Sequence, residues 1–201
     1  MKSATRTYVQ SQRASSTQAT RQRLLTAAEA AFTTTVYEDV TLAAVAKEAG
    51  VSHQTLLNHF ESKEGLFNAV IEGLKEQVID RRSEVEPGSV TRVIDYLMSQ
   101  YEETGDVNAR YAMTAERFPL VAEAIRFGRD NHREWLELQL HQRLPRRKRD
   151  RERALSALHA ATDVYTWKLL RRDIGLSRAE TAATMTMLVE GVLPDGDDTG
   201  R

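Results

Sequence analysis

The chain contains no cysteine, which excludes disulfides and thiolate metal ligands together and fits a reducing, cytoplasmic setting. Proline occurs four times and glycine ten times in 201 residues, and runs of β-branched residues are scarce. Little therefore interrupts helices, and the expected fold class is all-α. No apolar run approaches the roughly 20 residues that a membrane-spanning helix requires. The first residues also lack the apolar core of a secretory signal, so no membrane is expected as a partner. Neither sign of charge dominates: the formal net charge is −1, and any affinity for nucleic acid has to come from local charge. The motifs of common enzyme chemistry are missing as well. There is no HExxH, Walker loop, GxGxxG or GxSxG. His53, His59, His132, His141 and His159 include no pair three or four apart, so no helix offers two imidazoles to one metal. No catalytic residue, metal ligand or cofactor is assigned. Asp163 lies among Ala160, Val164 and Trp167, where an arginine of the same protein is the expected partner and a cationic ligand the alternative.

What is present is most informative between Thr41 and Phe60, TLAAVAKEAGVSHQTLLNHF. Thr41 can cap a first helix whose inner face is Leu42, Val45, Ala46 and Ala49. Gly50 falls where that helix must stop and favours a left-handed backbone. Val51 follows as a buried plug, Ser52 can cap a second helix, and Leu56 and Phe60 face the same interior. His53, Gln54, Thr55, Asn58 and His59 remain outside. This is the layout of a helix-turn-helix, whose second helix enters the major groove. Gln54 and Asn58 carry amides suited to adenine; with His53 and Thr55 they are the expected base-edge readers. Thr41, Ser52, His59 and Lys63 are the expected phosphate contacts. Lys63 stands in the first turn of a helix, where its charge opposes the dipole unless an anion is near.

Residues 21–70 resemble the DNA-binding domain of TetR-family transcriptional repressors. The resemblance rests on Leu25, Ala27, Ala28 and Phe32, then Tyr37, Thr41, Val45, Ala46, Ala49, Gly50, Val51 and Ser52. It continues through Thr55, His59, Phe60, Ser62, Lys63, Glu64 and Leu66 without a gap. Val36 and Leu57 depart from the family pattern, which has glycine and tyrosine there.

The rest of the chain divides accordingly. Residues 1–18 are a Ser/Thr/Gln-rich basic extension expected to be disordered, and residues 19–66 the DNA-binding domain, with the motif at 41–60. Residues 67–193 form a helical ligand-binding and dimerisation domain, and 194–201 a disordered tail. Ser62 caps a long helix to about Ser83; Glu86-Pro87-Gly88-Ser89 breaks the chain. The next helix is expected to end at Thr104-Gly105-Asp106, with a shorter stretch from Ala109 to Glu116. Pro119 opens another helix, in which Gly128 is a weak point. The basic run Arg143–Arg153 reads as a solvated connector between helices, with a second nucleic-acid patch as the alternative. One helix is expected from Ala154 through Arg172 to Gly175, and Ser177 with Glu180 forms a capping box for the last.

The resemblance implies a homodimer that binds a near-palindromic double-stranded operator and releases it when a small effector binds. Met98, Tyr101, Tyr111, Met113, Phe118, Phe127, Trp135 and Trp167 are the candidates for an apolar or aromatic effector cavity. Leu155, Leu158, Thr162, Tyr165, Leu169, Ala182, Met185 and Val189 are those for a four-helix dimer interface. Plain core packing is the competing role for both sets. The alternatives to a ligand-responsive repressor are an activator or architectural DNA-binding protein without a ligand, and an enzyme or interaction module that keeps the helix-turn-helix as scaffold.

Overall fold

Short polar side chains set the helix starts. Thr41 accepts a hydrogen bond from the Ala44 N–H, Ser52 from that of Thr55, Ser89 from that of Arg92 and Ser177 from that of Glu180. Each relieves one of the orphan donors of a first helical turn. At Ser177 the Glu180 side chain returns the bond, completing the expected capping box. Pro119 stands at the first turn of its helix, where its missing N–H costs nothing.

The computed structural model of the protein describes residues 2–193, with side chains from Ser15 onward. The expected tail at 194–201 lies outside the described residues. In order, the helices are α1 (Lys2–Thr34), α2 (Leu42–Glu48), α3 (His53–Phe60), α4 (Lys63–Ser83), α5 (Val90–Thr114), α6 (Pro119–Leu140), α7 (Lys148–Thr162), α8 (Val164–Lys168) and α9 (Arg178–Val192). No strand occurs among the described residues. The fold class is all-α, as the sequence indicates. α1 begins at Lys2, so the extension expected to be disordered is helical backbone from that residue.

The chain forms two compact units, one up to Lys75 and one from Glu76. In the first, Leu24, Ala28, Phe32, Tyr37, Val45, Ala46, Leu56, Phe60, Leu66 and Phe67 are buried. Phe67 meets the rings of Phe32 and Tyr37 edge-on, each at 5.0 Å. In the second, α5, α6, α7, α8 and α9 share one core that includes Ile94, Leu97, Met98, Leu136, Leu155, Leu158, Trp167, Met185 and Val189.

Two helix boundaries differ from expectation. α5 does not stop at Gly105 but runs on to Thr114. Gly105 is buried under Trp167, and an added Cβ would lie 2.5 Å from the indole Cζ3. That glycine serves close packing, not termination. Conversely, the helix expected from Ala154 to Arg172 is broken at Asp163, whose extended backbone ends α7 and whose carboxylate accepts from the Tyr165 N–H at 2.8 Å to start α8. A π-helical turn, Leu169–Asp173, follows, and Gly175 (φ +83°) then turns the chain toward α9. Asp163 pairs with His159 Nε2 at 3.5 Å, in place of the expected arginine.

Candidate functional site

The helix-turn-helix is built as its residues dictate. Gly50 has φ +67°, and the Val51 N–H reaches back to the Ala46 carbonyl at 2.9 Å, closing the end of α2. Val51 is half-buried, less enclosed than a plug. Leu56 and Phe60 bury the inner face of α3. His53, Gln54 and Asn58 are exposed on the outer face, and Thr55 and His59 are half-exposed. Gln54 Nε2 donates to Asn58 Oδ1 at 3.0 Å, one turn along. The two amides expected to read bases therefore hold each other, and each keeps a free edge. Ser52 Oγ and Thr55 Oγ1 are 2.8 Å apart, so both hydroxyls are engaged in the cap.

Lys63 has an internal role that its position in sequence did not reveal. Its Nζ donates to the Glu38 carbonyl at 2.9 Å and lies 4.6 Å from the centroid of the Tyr37 ring. These contacts offset its charge at the start of α4, and the ammonium retains two further N–H donors. The Tyr37 hydroxyl donates to Glu64 Oε1 at 3.4 Å; burial first, and then the Glu64 charge, push this phenol up to about 12.

Sequence reasoning missed Arg21. Its Nη1 donates to the His59 carbonyl at 3.5 Å, and its guanidinium lies 4.5 Å from the Phe60 ring centroid. A cation at the last turn of α3 suits the negative end of that helix. The pairing spans 38 residues, so no local pattern could disclose it. Past α3, Glu61 adopts φ +65°, an uncommon backbone for a residue with a side chain. Gly65 lies beside it, where an added Cβ would stand 2.1 Å from the Phe60 carbonyl oxygen. α4 is thereby set directly against the end of α3.

In the second unit the effector candidates separate. Met98, Tyr101, Trp135 and Trp167 belong to the packed core. Tyr111, Phe118 and Phe127 are half-buried. Met113 is 70% exposed and is corrected here, since a side chain in solvent does not line an interior cavity. The dimer candidates divide similarly. Leu155, Leu158, Thr162, Met185 and Val189 are buried inside their own protomer, Ala182 is half-buried, and only Tyr165 and Leu169 are exposed. Five of the eight are thus corrected to core residues: the three-four spacing marked the inward faces of α7 and α9. The opposite face of α9 exposes Ala183, Met187 and Leu188, and that of α7 exposes Ser156, Ala157 and Ala160. No helix among the described residues is long and apolar enough to cross a membrane, and no cluster of three metal-ligating side chains occurs among them.

A capped two-helix turn, with the second helix exposed and braced by a third, is the architecture of helix-turn-helix DNA-binding proteins. Residues 24–70 match the family model of the bacterial regulatory proteins of the tetR family. The chain has the fold of a TetR-family transcriptional regulator. A transcriptional regulator from Rhodococcus sp. Rha1 is similar, at 23% identity and TM-score 0.68, covering 86% of this chain and 95% of the other. A putative TetR-family regulator from Mesorhizobium loti MAFF303099 is similar at 20% identity and TM-score 0.65, covering 88% and 96%. NalD, the secondary repressor of the MexAB-OprM multidrug efflux pump in Pseudomonas aeruginosa, is similar at 19% identity and TM-score 0.51, covering 90% and 99%. Comparison with curated proteins finds no match.

Proposed function

We propose that the protein is a ligand-responsive repressor. It binds a near-palindromic operator as a homodimer and leaves it when a small effector binds the second unit. The observation that carries this reading is the outer face of α3, where His53, Gln54 and Asn58 stand exposed on a helix fixed at both ends. Two such helices, about 34 Å apart in a dimer, would read two half-sites one turn of DNA apart. Gln54 and Asn58 would address base edges with their free amide edges, His53 and Thr55 the neighbouring bases or bridging water. Thr41, Ser52, His59 and the remaining donors of Lys63 would hold phosphates. Pairing through the outward faces of α7 and α9 agrees better with burial than pairing through their core residues. The effector acts by binding unequally to two states of the dimer; a near-complete switch needs about a 10⁴-fold difference in affinity.

Operator selection from a random duplex pool, followed by anisotropy titrations, tests the DNA reading. Gln54→Ala should change sequence preference, relaxing it at one position per half-site. Lys63→Ala should weaken binding to every duplex by a similar factor. Equal loss of preference from both substitutions would refute the division of roles, and no duplex affinity above background would refute the reading itself.

A further inference from the structure

Arg82, at the end of α4 within the second unit, is 7% exposed, yet no carboxylate among the described residues reaches it. Its guanidinium bonds go to neutral acceptors: Asn131 Oδ1 at 2.5 Å and His132 Nδ1 at 3.2 Å. The tautomer of that imidazole follows from its other side. Thr162 Oγ1 donates to the Leu158 carbonyl at 2.7 Å and so accepts from His132 Nε2 at 2.8 Å, which leaves Nδ1 as the acceptor for Arg82. Burial and the adjacent Arg82 charge keep His132 neutral. Other arginines of this unit do find acids: Arg171 meets Glu102 at 2.7 Å, Arg151 meets Glu137 and Arg172 meets Asp106. A buried cation without a counter-charge is costly, and protein interiors ordinarily supply one.

Polar groups on α5 next to this cation are incompletely bonded as well. Arg82 Nε, the Tyr96 hydroxyl and Gln100 Oε1 are all buried without a well-formed hydrogen bond; Arg82 and Tyr96 are near enough for a weak contact with each other, which brings no counter-charge and leaves the phenol O–H without an acceptor. Tyr96 and Gln100 stand one turn apart on α5, and the phenol is close enough to feel the Arg82 charge. The Trp135 indole flanks both, 5.0 Å from the guanidinium and 5.1 Å from the Tyr96 ring. The site thus combines a cation, two donors without a well-formed acceptor, an amide that can present either edge, and an aromatic wall. We propose that Arg82, Tyr96 and Gln100 are the recognition end of an effector site for a small molecule bearing a carboxylate on an aromatic or apolar body. The carboxylate takes the Arg82 Nε–H and the Tyr96 O–H and supplies the missing counter-charge; the apolar body lies along Trp135. This names the effector class of the repressor reading above and rests on that reading for its regulatory meaning.

The test uses the full chain and three matched pairs of probes: benzoate, 3-phenylpropionate and octanoate against benzamide, 3-phenylpropanamide and octanamide. Calorimetric Kd values are measured for the wild type, Arg82→Gln and Tyr96→Phe, and operator release is followed in parallel. At least one acid should bind about 10-fold or more tightly than its amide. Arg82→Gln should weaken that acid about 100-fold, and Tyr96→Phe about 10-fold with the amides unaffected. Tyr96→Phe keeps the ring packing, so it carries the test if Arg82→Gln does not fold. Acids that bind no better than amides, or not at all, or that ignore Tyr96→Phe, overturn the proposal. An Arg82-dependent acid that leaves operator affinity unchanged supports the site and refutes its role in induction. A neutral compound that releases the operator without contacting Arg82 supports induction and overturns the acid site.

Discussion

Gly65 is the residue on which the seating of α3 against α4 depends. Any Cβ there meets the Phe60 carbonyl oxygen at 2.1 Å, a backbone atom that cannot rotate away. Gly65→Ala is expected to destabilise the first unit by about 2 kcal/mol or more, even though alanine favours helices elsewhere. Urea unfolding monitored by far-UV circular dichroism measures it; an unchanged midpoint would mean the two helices part easily. A second single-residue effect depends on pH. Burial and the Arg82 charge hold His132 at about 3, against an ordinary 6.5. Below pH 6.5 the unfolded chain takes up a proton that the folded chain refuses until about pH 3. Stability should therefore fall as pH drops through that window, by at most about 1.4 kcal/mol per pH unit, and flatten below it. His132→Gln should remove this slope between pH 6 and 4, at a fixed cost in stability. Asp163, which is also held low but from an ordinary 3.8, contributes only toward the acid end of the window.

At the scale of elements, the same residue type carries opposite messages, and the sequence alone does not say which applies. Gly50 and Gly105 both follow helical stretches, yet one ends a helix at φ +67° and the other lies buried within α5. What distinguishes them is Trp167, 62 positions further along, packed where a side chain would be. Gly105→Ala is accordingly expected to destabilise the second unit by about 1–3 kcal/mol, whereas a solvent-facing glycine in mid-helix would gain about 1 kcal/mol from the same change. Trp167→Phe in the same chain should recover part of the loss, read as a non-additive double-mutant cycle in urea. The helix-turn-helix was legible because its signals are local: cap, glycine, cap and apolar spacing all fall within 20 residues of one another. The partners of the site were not. Arg21 with His59, Lys63 with Glu38 and Arg82 with Asn131 are 38, 25 and 49 residues apart, and each changes what its cation is free to do. Asp163 was misread for a related reason, since apolar periodicity continues through a break that only the backbone shows.

For the molecule as a whole, a net charge of −1 supplies no bulk attraction to DNA, so the proposed operator affinity would have to come from a small contact surface, doubled by pairing of two protomers. On that proposal, operator binding would depend on protomer pairing more than on any single side chain of α3. Met187 is 68% exposed on the outward face of α9, with Ala183 one turn before it and Leu188 beside it. Buried against a twin helix it contributes apolar area; alone in water it contributes nothing to the fold. Met187→Glu is therefore expected to leave unfolding of the protomer nearly unchanged while shifting its mass, by size exclusion with light scattering, from dimer to monomer. Affinity for a full palindrome should fall by about 100-fold or more, because the second half-site contact is no longer intramolecular. Affinity for a single half-site should stay within about twofold, since α3 is untouched. A variant that remains dimeric with full operator affinity would move the pairing surface off α9, and one that loses half-site binding as well would show that α3 depends on the partner for its own geometry.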